Sequence, residues 1–116
     1  MHELAIVEAL IDQVQQELAR ADHQGRVLRV ELSIGRLSGV CCDSIRFAFS
    51  LLSPGTCVEN AEIEIEEPKA VCHCRTCHVR QEIDDLVFQC PQCGSDDIVI
   101  ESGRELMLQS IDVEEP

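Results

Sequence analysis

Aromatic residues are nearly absent from this chain of 116 residues, which contains three phenylalanines and neither tryptophan nor tyrosine. The core must therefore be aliphatic, and few side chains are available to stack on nucleic-acid bases. Basic residues are also scarce, since nine lysines and arginines stand against 22 acidic residues, a net charge of −13. This charge argues against binding a phosphate backbone, so nucleic acid is not an expected partner. It favours a basic protein or a cation, or it only keeps a small domain in solution.

Targeting segments are missing as well. No apolar run is long enough to cross a membrane, and the N-terminal stretch has Glu3, Glu8 and Asp12 where a secretory leader would be basic. We therefore expect a cytoplasmic protein with no membrane partner. Because thiols in that compartment stay reduced, the eight cysteines indicate metal or redox chemistry rather than a disulfide framework.

Hydrophobic periodicity predicts two helices and three strands outside the cysteine-rich stretch. Apolar residues at three- and four-residue steps predict a helix over about residues 3–22. A second helix is expected through about Leu52, with Asp43 or Ser44 as its cap. Alternating apolar residues predict strands in "VLRVELSI", "AEIEIEE" and "ELMLQSIDV". Since a lone C-terminal strand is unstable in water, we expect the last of these to return to the first sheet.

This order of elements predicts an α+β fold with an inserted module. Residues 1–68 plus 104–116 would form a small domain of two helices and a three-stranded sheet. Residues 69–103 would form a zinc-ribbon module, with Pro68 and Gly103 at its boundaries. The sequence shows no Ser/His/Asp arrangement and no phosphate-binding loop, so the protein is not expected to be an enzyme.

Four cysteines form two C-x-x-C pairs, Cys74 with Cys77 and Cys90 with Cys93, separated by twelve residues. Two such knuckles joined by a hairpin-sized loop place four thiolates tetrahedrally around one zinc ion. A closed site of this kind leaves no coordination position open, so its expected role is structural. The metal would supply folding free energy that so short a module cannot obtain from its core.

Other interpretations of this region remain as alternatives. Cys74 to His78 also matches the C-x-x-C-H pattern of c-type haem attachment, and a single C-x-x-C can be a redox dithiol. The second knuckle disfavours both. His73 and His78 flank the ligands and are either exposed loop residues or replacements for a thiolate when conditions such as pH change. Cys72 competes with Cys74 as a ligand but lacks the two-residue spacing.

The remaining cysteines are expected to be small buried hydrophobes. They are Cys41, Cys42, Cys57 and, if it is not a ligand, Cys72.

The first three residues, Met1, His2 and Glu3, could form a different kind of metal site. His2 is too large for the removal of Met1 by aminopeptidases, so the free amine should persist. That amine, the amide nitrogens of residues 2 and 3 and the His2 imidazole could provide four nitrogen donors in one plane, which suits Ni(II) or Cu(II) rather than zinc. The first N–H groups of a helix have no intrahelical partner, so their deprotonation sacrifices no helical bond. The alternative is a frayed terminus without a role.

The combination of "MHEL", "LSIGRLSGV", "FAFSLLSPGT" and C-x-x-C…C-P-x-C-G resembles the HypA/HybF family over essentially the whole chain. These proteins are nickel metallochaperones for the maturation of nickel–iron hydrogenase and, in some organisms, of urease. The resemblance implies Ni(II) as transient cargo at Met1, His2 and Glu3, and structural Zn(II) at the four knuckle cysteines. It also implies an α/β nickel-binding domain that carries the zinc module. The implied partners are a nickel-handling GTPase and the precursor of the hydrogenase large subunit.

The function expected from residues and resemblance together is that of a non-enzymatic nickel carrier. The main alternative is an acidic zinc-ribbon adaptor in nucleic-acid or transcription machinery, and a second is a thiol redox protein. The sequence leaves open the oligomeric state, with a homodimer as one alternative, and whether a hydrogenase or urease is served.

Overall fold

The computed structural model describes residues 2–114, and within this range the chain forms two helices and six strands. The elements are α1 His2–Arg20, β1 Val27–Ile34, α2 Cys42–Leu52, β2 Glu62–Glu66, β3 Ala70–Cys74, β4 Arg80–Ile83, β5 Ile98–Glu101 and β6 Leu106–Val113. The strands form two three-stranded sheets, ordered β2–β1–β6 and β4–β3–β5. Because β6 returns to the sheet of β1, the predicted α+β fold with an inserted cysteine-rich module is confirmed.

The chain divides into two compact units. Unit 1 consists of Met1–Leu32, Val40–Ile65 and Leu108–Pro116, and unit 2 consists of Ser33–Gly39 and Glu66–Met107. Neither helix in the described part of the chain is long and apolar enough to cross a membrane.

Unit 1 has a largely aliphatic core, as the scarcity of aromatic residues predicts, and Phe49 is buried in it as well. One face of α1 is buried at three- and four-residue steps, and α1 packs against α2. The burial of β2 alternates, with its glutamates exposed. The fully buried side chains of this unit are Val7, Val14, Val27, Val30, Ile45 and Val58.

The start of α2 differs from the prediction. Cys41 occupies the N-cap position with an extended backbone, and its carbonyl accepts a hydrogen bond from the Ile45 N–H at 3.0 Å. The prediction that Asp43 or Ser44 caps this helix was therefore wrong. Asp43 lies instead in the first turn, where its carboxylate pairs with the Arg46 guanidinium at 3.0 Å and opposes the positive end of the helix dipole.

Unit 2 is built around β3, which pairs antiparallel with β4 on one side and β5 on the other. Cys72 lies at the centre of this sheet, opposite Gln81 and Ile100. It is fully buried, and burial raises the pKa of its thiol. Cys72 is thus a small core hydrophobe, as predicted. The core around it consists of Ala70, Cys72 and Ile83, with Leu37, Val87, Ile98 and Ile100 packed against them.

Part of unit 2 comes from the segment Ser33–Gly39, which is far in sequence from the two C-x-x-C pairs. Its backbone donates hydrogen bonds to later residues of the same unit, and the Leu37 side chain packs against the core. These bonds run from Gly35 to the Glu105 carbonyl (2.7 Å), from Arg36 to the Pro68 carbonyl (2.9 Å) and from Leu37 to the Gly103 carbonyl (2.6 Å). The unit is therefore assembled from two separate stretches of chain.

Candidate metal centre

The two C-x-x-C pairs meet in unit 2. The Sγ atoms of Cys74, Cys77, Cys90 and Cys93 all lie within 4.8 Å of one another. The Sγ atoms of Cys74 and Cys93 are 3.6 Å apart, and those of Cys77 and Cys90 are 3.7 Å apart. Zinc–sulfur bonds of about 2.3 Å give a regular tetrahedron with sulfur–sulfur edges of about 3.8 Å. The spacing of the thiols therefore fits a tetrahedral zinc ion.

Both knuckles are folded by the same backbone pattern. In the first, the Cys74 N–H donates to the Val79 carbonyl at 2.9 Å. In the second, the Cys90 N–H donates to the Ser95 carbonyl at 2.7 Å. Each hydrogen bond closes a loop of the same length, so that both cysteines of a pair are turned toward the same point.

A left-handed residue follows the second cysteine of each knuckle. Gly94 has a φ of 77° and His78 a φ of 63°. Glycine takes this conformation without a steric penalty, whereas a residue with a Cβ atom is strained there. The turn therefore explains the glycine of the second knuckle, and His78 takes part in the first knuckle through its backbone conformation.

Backbone N–H groups point at the first sulfur of each pair. The Cys77 N–H donates to the Cys74 Sγ at 3.4 Å. The N–H groups of Gln92 and Cys93 donate to the Cys90 Sγ at 3.4 and 3.5 Å. Such bonds favour the thiolate, which is the form that binds metal.

The four thiols divide into two that lose a proton easily and two that do not. The Cys77 N–H lowers the pKa of Cys74 to about 6. The pKa of Cys77 is raised to about 12, because burial and the neighbouring sulfurs outweigh the hydrogen bond from the Val79 N–H. The pKa of Cys90 is lowered, chiefly by the Cys93 N–H, and that of Cys93 is raised. Four adjacent thiolates would repel one another, and a bound divalent cation would offset this repulsion and favour loss of the last protons.

The flanking histidines lie apart from this cluster. His73 is on the opposite face of β3 from Cys72 and Cys74, and its Nδ1 is 3.4 Å from a Glu101 carboxylate oxygen. His78 is exposed. Among residues 2–114 the cluster of metal-ligating side chains consists of the four knuckle cysteines alone. The structure therefore favours Cys74 over Cys72 as the ligand, and neither histidine belongs to the cluster.

The other cysteines only partly match the expectation of burial. Cys42 and Cys57 are half-buried, but Cys41 is exposed at the start of α2. For Cys41 the prediction of a buried small hydrophobe was therefore wrong, because the N-cap position lies on the surface. No periodic pattern in the residues around Cys41 indicated that its side chain would lie at the surface.

The predicted nickel ligands lie at the start of α1. His2 is its first residue and is exposed, and Glu3 is half-buried in the first turn. Met1 lies outside the described residues. The imidazole and the first amide nitrogens of the helix are thus close in sequence, and those amides need no intrahelical partner.

A protein-family model described as "Hydrogenase/urease nickel incorporation, metallochaperone, hypA" matches residues 1–113. The chain belongs to this family. The match spans both units, from the first residue through the cysteine cluster to the end of β6. Membership of a metallochaperone family agrees with the expectation that the protein is not an enzyme.

Individual relatives of the HypA family extend over the full chain. A hydrogenase maturation factor HypA of Chlorobium limicola is 43% identical over 115 residues, which cover 99% of this chain and 98% of the relative. One from a Roseiflexus species is 38% identical over 116 residues, covering 99% and 94%.

Solved HypA structures share the fold. A solution structure of HypA protein has a TM-score of 0.70 at 24% identity, covering 98% of this chain and 97% of the other. The solution structure of the Ni metallochaperone HypA from Helicobacter pylori has a TM-score of 0.66 at 23% identity, with 96% of each chain covered.

Proposed function

We propose that this protein is a nickel carrier for hydrogenase maturation, with urease as the alternative recipient of its nickel. The family match over residues 1–113 is the observation that carries this proposal. The relatives are named hydrogenase maturation factors, and a structural relative is titled a Ni metallochaperone. The expected partners are a nickel-handling GTPase and the precursor of the hydrogenase large subunit.

Nickel would bind at the N-terminus through the Met1 amine, the amide nitrogens of residues 2 and 3 and the His2 imidazole, with the Glu3 carboxylate beside them. Four nitrogen donors in a plane suit Ni(II). The exposure of His2 and the position of Glu3 in the first turn of α1 support this assignment, because the site is open to a partner and an anion there opposes the helix dipole.

The four knuckle cysteines would hold a structural zinc ion. Support comes from the sulfur–sulfur distances of 3.6 and 3.7 Å and from the N–H groups directed at Cys74 and Cys90. When bound, the ion would supply positive charge that stabilises four thiolates and folding free energy for the module. We propose residues 69–103 as this zinc module, and residues 1–68 plus 104–116 as the nickel domain.

The test is a nickel titration of the zinc-loaded protein followed by absorbance and magnetic susceptibility. Native protein should give a yellow, diamagnetic square-planar species. His2→Ala and a form with residues added before Met1 should both lose it and keep their zinc, because one lacks the imidazole and the other the free amine.

His23→Ala is the matched control, since His23 is the only other histidine of unit 1. Its Nδ1 accepts a hydrogen bond from the Gly25 N–H at 2.9 Å, so it is already engaged within the fold. This variant should bind nickel as the native protein does. Unchanged nickel affinity in His2→Ala and in the extended form would refute the N-terminal site.

A further inference from the structure

The loop between β4 and the second knuckle exposes apolar side chains that the core of unit 2 does not use. Val87 turns inward and packs against that core. The residues on either side of it face solvent, with Leu86 47% exposed and Phe88 78% exposed. Phe88 is the most exposed large apolar side chain of residues 2–114.

Leu86 and Phe88 line one open groove of about 560 Å³. The second knuckle forms another part of its wall through Cys90 and Pro91. Single apolar residues on a surface are ordinary, but apolar side chains that converge on a concave surface are typical of binding sites. The groove is wide and shallow, so it leaves Leu86 and Phe88 open to contact with an apolar side chain supplied from outside.

Unneutralised negative charge lies in the groove and next to it. Asp96 lines the groove, and the exposed Asp85 lies outside the lining but directly precedes Leu86 in the sequence. Among residues 2–114 neither carboxylate forms an ion pair, whereas their neighbours do. The paired neighbours are Asp84, which contacts Arg36 (3.1 Å) and Lys69 (3.4 Å), and Asp97, which contacts Arg75 (3.5 Å).

We propose that this groove docks a basic amphipathic segment of a partner protein. A bulky apolar side chain of that segment would lie between Leu86 and Phe88, and an adjacent lysine or arginine would face Asp85 and Asp96. Charge complementarity selects this occupant over a second copy of the chain, because two molecules of net charge −13 repel each other. The inference does not depend on nickel as the cargo.

The test uses the full-length, zinc-loaded protein and a fluorescein-labelled peptide of alternating leucine and lysine. Two matched peptides replace either every lysine by glutamate or every leucine by serine. In fluorescence anisotropy at low salt, the leucine–lysine peptide should bind saturably. Each altered peptide should bind at least about ten-fold more weakly, because each lacks one of the two features that the groove recognises.

Variants locate the site. Phe88→Ser should weaken binding about ten-fold, as expected for an aromatic anchor. Phe47→Ser is its control, because Phe47 is 63% exposed but lies on α2 in the other unit. The double variant Asp85→Asn with Asp96→Asn should weaken binding at low salt and less at high salt. Glu62→Gln, an exposed acidic residue of β2, should leave binding unchanged.

The proposal fails if Phe88→Ser binds the peptide as the native protein does, provided that its zinc content and circular dichroism are native. It also fails if Phe47→Ser loses as much affinity, or if the leucine–glutamate peptide binds equally well. Analytical sedimentation tests the alternative occupant, which is a second copy of the chain. Self-association that Phe88→Ser abolishes would make the groove an interface between copies and would overturn the assignment to a basic partner.

Discussion

Replacing Gly103 by alanine should destabilise unit 2 well beyond the usual effect of a surface substitution. Gly103 has a φ of +81°, and a Cβ atom there would lie 2.7 Å from the Cα and 2.9 Å from the backbone nitrogen of Ala70. Non-bonded carbon atoms pack best at about 3.5–4.0 Å, so the two chain segments would have to separate. The Gly103 carbonyl also accepts the hydrogen bond from the Leu37 N–H, and any shift would disturb it.

The expected loss in the free energy of unfolding has two parts. A residue with a Cβ atom in the left-handed region costs about 1–2 kcal/mol, and overpacking adds about 1–3 kcal/mol. Gly39→Ala isolates the first part, because Gly39 has nearly the same φ of +80° and no atom within 4 Å of the position of its Cβ. We therefore expect a loss of about 2–5 kcal/mol in the free energy of unfolding for Gly103→Ala and about 1–2 kcal/mol for Gly39→Ala.

The assay is urea unfolding of the zinc-loaded protein, followed by circular dichroism and by the release of zinc to a coloured chelator. Zinc release reports unit 2 specifically, because the four cysteines lie there. If Gly103→Ala is too unstable to fold, it will contain little zinc after purification while Gly39→Ala retains it. Equal losses in both variants would refute the close approach of Gly103 and Ala70 as the cause.

Three further changes should have measurable effects. Leu37→Ala should lower the stability of unit 2 by about 1–3 kcal/mol in the zinc-release assay, because a half-buried leucine leaves the core. His78→Gly should raise stability by up to about 1 kcal/mol in the same assay, since it relieves the left-handed backbone, and a loss would contradict this. As pH is raised, iodoacetamide followed by mass spectrometry should label Cys41 before Cys57. Hydrogen bonding to Ser44 lowers the pKa of Cys41, and burial raises the pKa of Cys57. The Cys41 thiolate therefore forms at lower pH, and labelling of Cys57 before Cys41 would refute this explanation.

The features that could be predicted from the sequence are those encoded over short distances. The three- and four-residue steps of α1 predict its buried face, because that period is the geometry of the helix itself. The pairing of Cys74 with Cys77 and of Cys90 with Cys93 predicts the sulfur cluster, because each pair is formed by one tight turn. The contacts of α1 are local. In the cluster each pair is local, although the close sulfur contacts, from Cys74 to Cys93 and from Cys77 to Cys90, join the two knuckles.

The features that could not be predicted depend on contacts between distant residues. The assignment of Ser33–Gly39 to unit 2 rests on hydrogen bonds such as that from Arg36 to the Pro68 carbonyl, which no periodicity reveals. Burial alternates along β3, but its buried residues are Ala70, Cys72 and Cys74, and such small side chains do not stand out in a search for alternating large apolar residues. In β4 only Ile83 is buried, so that strand has no alternation to detect. At α2, cap preference favoured Asp43 or Ser44, but the helix begins at Cys42, so Asp43 lies inside the first turn, where it pairs with Arg46.

The two proposed metal sites differ in donor atoms and geometry, and this difference would direct zinc to one site and nickel to the other. Nickel binds thiolates as well as nitrogen, so affinity alone would not exclude it from the four cysteines. The geometry of the cluster would favour zinc, because the sulfur–sulfur distances of 3.6 and 3.7 Å suit a tetrahedral ion, whereas square-planar coordination is typical of Ni(II). The proposed ligands at the N-terminus belong to the first three residues, among which His2 is exposed, so a partner could replace them one at a time. A closed site would therefore keep its zinc while an open one at the chain end releases its nickel.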